Sequence, residues 1–165
     1  LYPEAARLND VNMQNQLGWT VLHCAAQSGN CESIRLILSL YPESERLQAV
    51  AMRNAYGWTA LHFAAQSGNC ESFEVTLALY PESERLSRLI ETNQFGETVL
   101  HLVAHSNKVE FIKAVLSLFP ESQRLQTVNT HNAYRETVLD KMNATTLNAI
   151  MAWLSESESS VSEQP

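Results

Sequence analysis

The residues best equipped for chemistry are three histidines, His23, His62 and His101, set 39 residues apart. Imidazole titrates near neutrality, so a histidine can act as a general base, as the partner of a nucleophile or as a metal ligand. Cys24 directly follows the first histidine and puts a thiol beside a base in the sequence. Adjacent residues of a helix do not face each other, however, so this pair makes no nucleophile–base couple. Cys31 and Cys70 also stand one period apart, each at the start of an expected helix, where a thiolate is mildly favoured. Inert thiols, at the surface or half-buried, are the simpler reading. The three cysteines keep no metal-site or redox spacing, and their odd number predicts free thiols in a reducing, cytosolic compartment. No paired carboxylates, Gly-rich phosphate loop or Ser-His-Asp arrangement stands out. The chain is therefore expected to be no enzyme and to need no metal, cofactor or disulfide.

The elements that must position these residues come from a repeat. Leu1-Tyr2-Pro3-Glu4 returns at Leu40-Tyr41-Pro42-Glu43, at Leu79-Tyr80-Pro81-Glu82 and as Leu118-Phe119-Pro120-Glu121, each step being 39 residues. Gly18-Trp19-Thr20-Val21-Leu22-His23 returns in the same register from Gly57 and Gly96, and in worn form from Arg135. A fixed period of this length marks a solenoid, in which each unit buries its apolar face on its neighbours. Successive histidines then lie about 10 Å apart, the spacing of packed helices. They cannot share one metal whose ligands stand at about 2 Å.

Each unit reads as a turn and three helices. Asn15 to Gly18 is the turn, with Asn bonding its own backbone and Gly at positive φ. Thr20 is an N-cap, and Leu22, Ala25 and Ala26 form one helical face. Gly29, Gly68 and Asn107 end the first helices in the left-handed region. Second helices follow, with Ile34, Ile37 and Leu38 as the first unit's core set. The stretch from Pro42 to Val50 predicts a short third helix, begun by proline and acidic residues. Its pair Leu47/Val50 is echoed by Leu8/Val11, Leu86/Leu89 and Leu125/Val128, and both members are expected to pack. The expected organisation is a partial unit over 1–14, repeats over 15–53, 54–92 and 93–131, and a degenerate C-terminal cap over 132–154. A Ser/Glu tail over 155–165 is expected to be disordered.

Eleven basic residues against 18 acidic ones give a net charge of −7. No basic stripe is present to neutralise phosphates, which speaks against nucleic acid and anionic membrane surfaces. No apolar run approaches a membrane span, and no basic-then-apolar leader opens the chain. Because the sequence starts in mid-pattern, a longer parent protein is expected.

Thr59-Ala60-Leu61-His62-Phe63-Ala64-Ala65, followed by Gly68 and Glu71, resembles the ankyrin repeat. The match holds equally from Thr20 and more loosely from Thr98. It departs in four ways: Val or Ala replaces the consensus Pro, Asn replaces the Asp of the turn, the period is six residues longer, and the fourth unit has Arg135 for Gly and Asp140 for His. The Tyr-Pro-Glu-Ser-Glu-Arg phrase is also similar to long ankyrin modules of effectors from intracellular bacteria, which would place the chain in a host-cell cytosol. The resemblance implies an all-α ankyrin-repeat solenoid of helix-turn-helix units, with an extra short helix per repeat and short finger turns. It implies a structural role for the histidines, each bonded to a neighbouring turn. It also implies a monomeric scaffold that binds another protein through a concave face of finger tips and inner helices. An alternative is a targeting module of a larger enzyme. Carried onto this chain, the face comprises Leu17, Trp19, Tyr56, Trp58, Phe95, Glu97 and Tyr134 at the tips, with Gln27, Gln66 and His105 on the helices. Aromatics in solvent-facing turns are typical interface anchors. The same side chains could instead pack on the added helix or the next finger.

Overall fold

The computed structural model describes residues 9–161. Leu1–Leu8, with the opening Leu-Tyr-Pro-Glu phrase, and the last tail residues, 162–165, lie outside the described residues. Nine helices come in three sets of three. They are α1 (Val21–Ser28), α2 (Cys31–Ser39) and α3 (Glu43–Ala51), then α4 (Ala60–Gln66), α5 (Cys70–Leu77) and α6 (Glu82–Ile90), then α7 (Val99–His105), α8 (Val109–Ser117) and α9 (Glu121–Val128). A 3-10 turn, Leu139–Lys141, and α10 (Ala144–Val161) close the stack. The all-helical solenoid is thus as expected, with the additional helix in each of the three repeats.

Local chemistry accounts for each boundary. Thr20, Thr59 and Thr98 cap α1, α4 and α7 in extended conformation. Asn30 and Asn69 cap α2 and α5, each accepting from a serine amide at 2.9 Å. Gly29 and Gly68 take positive φ after the first helices, and Asn107 does the same at φ 53. Packing runs down the stack from α1 to α4 to α7, with the second helices alongside. Ala25, Ala26, Ala64, Ala65 and Ala104 are all buried, and their small size lets these helices approach closely.

The Tyr-Pro-Glu-Ser-Glu-Arg phrase is a packing device. Tyr41 and Tyr80 are buried, and their hydroxyls donate to the carbonyls of Val11 and Val50, both at 2.9 Å, tying each unit to the one before. Proline then starts the third helix. The arginine turns back, with Arg46 Nε donating to the Leu38 carbonyl at 3.1 Å and Arg85 Nε to the Tyr80 carbonyl at 3.2 Å. The third helices nevertheless bury only one member of the expected apolar pair. Val50, Leu89 and Val128 are enclosed, whereas Leu86 and Leu125 are each 40% exposed and Leu47 is half-buried. The ring before proline is buried as well and shares the anchoring, which leaves the outer member of each apolar pair partly in water.

The C-terminus differs too. The helix expected to end near Leu154 continues through Val161, well into the Ser/Glu segment. Elongating an existing helix adds one backbone bond per residue fixed, so weak formers can prolong one that is already nucleated.

The finger turns form a ladder. Asn15, Asn54, Asn93 and Asn132 each accept two backbone N–H groups on Oδ1, those of the residues two and four positions on. Neighbouring fingers are joined by Ala55 N–H to the Leu17 carbonyl at 2.9 Å, Gln94 to Tyr56 at 3.0 Å, and Ala133 to Phe95 at 2.9 Å. Gly96, at φ +70, lies so close to the next finger that an added Cβ would stand 2.7 Å from Ala133 N. Gly96→Ala should therefore cost about 1–3 kcal/mol in chemical denaturation, combining left-handed strain with that clash. Arg135, its counterpart at φ 63, already bears the strain without a following finger. Arg135→Gly should be neutral or stabilising, and a loss comparable to that of Gly96→Ala would refute this account.

Candidate protein-binding face

The three histidines, the side chains best equipped for catalysis, are engaged by the fold. Each accepts on Nδ1 from the backbone N–H of its own N-cap threonine, at 3.0 Å for His23, 3.3 Å for His62 and 3.2 Å for His101. On the far side, Nε2 of His23 donates to the Met52 carbonyl at 3.0 Å, and that of His62 to the Glu91 carbonyl at 3.2 Å. The equivalent bond from His101 is not formed, and its Nε2 is buried without a partner. All three rings are buried, and burial lowers the pKa of each; for His62 it reaches about 4, opposed by the Glu91 carbonyl and aided by Arg53. All three imidazoles tie down their own caps, and those of His23 and His62 also pin the cap to the base of the next finger. In the fourth unit Asp140 takes over the task, its Oδ2 accepting from both the amide and the hydroxyl of Thr137 at 2.7 Å. That replacement keeps the acceptor, so it is less degenerate than the sequence implied. Among the described residues no cluster of His, Cys, Asp or Glu has metal-site geometry.

The cysteines do not come together. Cys24 is exposed; Cys31 and Cys70 are half-buried near the starts of α2 and α5. Burial and the Glu74 carboxylate push the Cys70 thiol up, away from the reactive thiolate.

The finger tips carry an aromatic file. Tyr56, Phe95 and Tyr134 follow one another with ring centroids 6.4 Å apart at each step and nearly parallel planes. Tyr134 is 65% exposed, Leu17 46% and Tyr56 38%, while Phe95 is half-buried between its neighbours. The two tryptophans behave otherwise. Trp58 is only 8% exposed and belongs to the core, and Trp19 is half-buried. Both indoles close on Phe63 of α4, at 4.3 Å from Trp19 and 4.8 Å from Trp58. The picture of Trp58 as a free anchor is thereby corrected: packing on the helix below outcompetes exposure. Position 63 is the signal that could have told this, since it is Phe only in the unit flanked by both tryptophans, and Cys24 or Leu102 elsewhere.

Glu97 is likewise engaged within its own finger, its Oε2 accepting from Asn93 Nδ2 at 3.0 Å; Glu136 does the same for Asn132 at 2.9 Å. Gln27, Gln66 and His105 are exposed on the first helices.

Several of these side chains frame one cavity of about 260 Å³, lined by Trp19, Gln27, Asn54, Tyr56, Trp58, Phe63, Gln66 and Phe95. It carries no charged side chain. Two of its donors, Trp19 Nε1 and Asn54 Nδ2, are buried without an acceptor. Each such group costs about 1–3 kcal/mol while it stays unmet. Leu17, Glu97, Tyr134 and His105 lie outside this cavity, along the same row of fingers and first helices. A wider depression of about 550 Å³ lies among the second and third helices, lined by residues including Arg35, Arg46, Glu71 and Glu74. There charge meets charge, with Arg35 and Glu71 3.8 Å apart and both largely exposed.

Residues 4–84 match the family model described as ankyrin repeats (3 copies). A comparison with curated proteins returns no match. Beyond the matched span the structure repeats the same unit in α7, α8 and α9 and again, shortened, in the closing 3-10 turn and α10. Among the described residues no helix is long and apolar enough to cross a membrane.

Proposed function

Because this chain belongs to the ankyrin-repeat family, whose members are generally protein–protein interaction modules, we propose that it is a non-catalytic scaffold. On this reading it binds a partner protein through the finger tips and first helices. One observation carries the reading: an aromatic file and an uncharged, aromatic-lined cavity share that side, whereas polar groups on the other side already pair with each other. Leu17, Tyr56 and Tyr134 are the exposed anchors; Gln27, Gln66 and His105 supply adaptable polar contacts at the helix ends. Trp19, Trp58 and Phe95 form the cavity walls, and Glu97 shapes its finger. The three histidines serve the fold, which supports the non-catalytic reading. The Tyr-Pro-Glu-Ser-Glu-Arg phrase serves packing within the fold.

Tyr56→Ala combined with Gln66→Ala touches no core residue. The double variant should keep its melting temperature and weaken partner capture about thirtyfold, the size of one interface hot spot. Arg35→Ala with Glu74→Ala, on the opposite depression, should leave capture unchanged. The reverse pattern would move the interface to the second and third helices.

A further inference from the structure

The two ends of the stack are not alike. After the third repeat, the 3-10 turn packs on α7 and α10 packs on α8. At the other end, the outward faces of α1 and α2 have no such cover among the described residues. Position for position, this is the face that α4 and α5 turn to the first repeat. There Trp19 and His23 close on Phe63, and Cys31 Sγ lies 3.3 Å from Ser72 Oγ. Ala60, Val99 and Val138 are buried, but their counterpart Val21 is 43% exposed. Phe63 and Leu102 are buried, but Cys24 is exposed. Thr76 and Val115 are buried, but Ile37 is only half-buried.

The backbone shows the same asymmetry. The N–H groups of Ala55, Gln94 and Ala133 each meet a carbonyl of the preceding finger, whereas that of Gln16 meets none among the described residues. The carbonyls of Met52 and Glu91 each receive a histidine Nε2 from the unit before. Their counterpart, the Met13 carbonyl, receives none from the described residues. Residues 9–11 are helical, and the buried Val11 offers its carbonyl to Tyr41 as Val50 does to Tyr80. The end of a third helix is therefore in place ahead of the first finger.

We propose that this face seats a further ankyrin unit of the same polypeptide, stacked on α1 and α2 as these are stacked on α4 and α5. Such a unit brings a finger carbonyl to the Gln16 N–H and a histidine Nε2 to the Met13 carbonyl. Its apolar helices cover Val21, Cys24 and Ile37. Each interface between neighbouring units adds to the stability of a solenoid, so the contact already made twice down the stack is favoured at this step too. A second copy of the chain fits less well. Its own open end has no free histidine for the Met13 carbonyl, His23 being bonded to Thr20 and Met52, and its other end is covered by α10. Val21, Cys24 and Ile37 lie outside the aromatic-lined cavity of the finger side.

The test compares the whole 165-residue chain with the same chain extended ahead of Leu1 by a copy of residues 54–78. The 39-residue period joins that copy in register to Leu1-Tyr2-Pro3-Glu4. In the stack those residues precede Val99, and Val21 is the same residue at the same place. Labelling of the Cys24 thiol, read by mass spectrometry with the copied cysteine changed to serine, reports cover on this face. The extension should slow that labelling about tenfold or more and raise the melting temperature. Val21→Asp puts an acid in the first turn of α1, where it suits the helix, and should barely move the melting temperature of the 165-residue chain. In the extended chain the same substitution buries a charge without a partner and should remove the gain. A copy of residues 93–117, which meets Leu1 in the same register, is the second extension. Unchanged Cys24 labelling with both extensions, or equal effects of Val21→Asp in the short and extended chains, would overturn the proposal. So would a 165-residue chain that sediments as a dimer with Cys24 already protected, because the occupant would then be a second copy.

Discussion

Lowering the pH from 7 to 5 should destabilise the domain by about 2 kcal/mol through His62 alone. His62 titrates at about 4 in the folded chain, lowered from 6.5 chiefly by burial. In the unfolded chain it takes up a proton as the pH drops below 6.5, while the folded chain takes up none until near 4. Stability is therefore complete above the unfolded value and falls by about 1.4 kcal/mol per pH unit through the window between the two. Burial disfavours the charged ring, and Nδ1 accepts from the fixed N–H of Thr59, so the neutral ring is the form that fits this site. His23 and His101 face Thr20 and Thr98 in the same way and are lowered in the same direction, so they add to the loss. Melting curves at pH 7, 6 and 5 read the slope, in a range where most carboxylates remain ionised. His62→Gln should be less stable at pH 7 and show a flatter slope. An unchanged slope would mean that the ring is not the neutral acceptor described here.

The repeat was legible because it is written in backbone chemistry. The Asn-to-Gly turn, the Thr cap, the Leu-His pair and the left-handed Gly or Asn each satisfy a local requirement, and each sits where the period predicts. What sequence reading missed was settled between units. Trp58 stands at the same finger position as Glu97, and finger position alone says nothing of Phe63 beneath it. Asp140 breaks the histidine pattern by name while preserving the acceptor that the cap needs. The same holds for the aromatic file: Tyr56, Phe95 and Tyr134 are one period apart, but their near-parallel stacking depends on the pitch of the solenoid. The free donors of Trp19 and Asn54 follow from a comparison of units, Trp58 being where an acceptor stands in later copies.

Leu89→Ala should cost about 2–5 kcal/mol in chemical denaturation, whereas Leu86→Ala, one helical turn away, should cost well under 1.5 kcal/mol. Both lie on α6, and by sequence spacing alone they are equivalent members of one apolar pair. Leu89 is 1% exposed and belongs to the continuous core, so its truncation leaves a cavity among groups that cannot fully collapse. Leu86 is 40% exposed and surrenders part of its side chain to water already. The contrast tests what the added helix does. With α6 docked through Leu89, the Tyr80 ring and its bond to the Val50 carbonyl, the third helix is the joint that fixes one unit on the last. Tyr80→Phe, which keeps the ring and deletes the hydroxyl, should then cost about 1 kcal/mol. Phe119 shows that the stack accepts this ring without the hydroxyl, because it fills the same buried position in the third unit. Equal losses for Leu86→Ala and Leu89→Ala would place both faces of α6 in the core. Near-native stability for Leu89→Ala would make the added helix a loosely attached connector, with the solenoid held by its first and second helices alone.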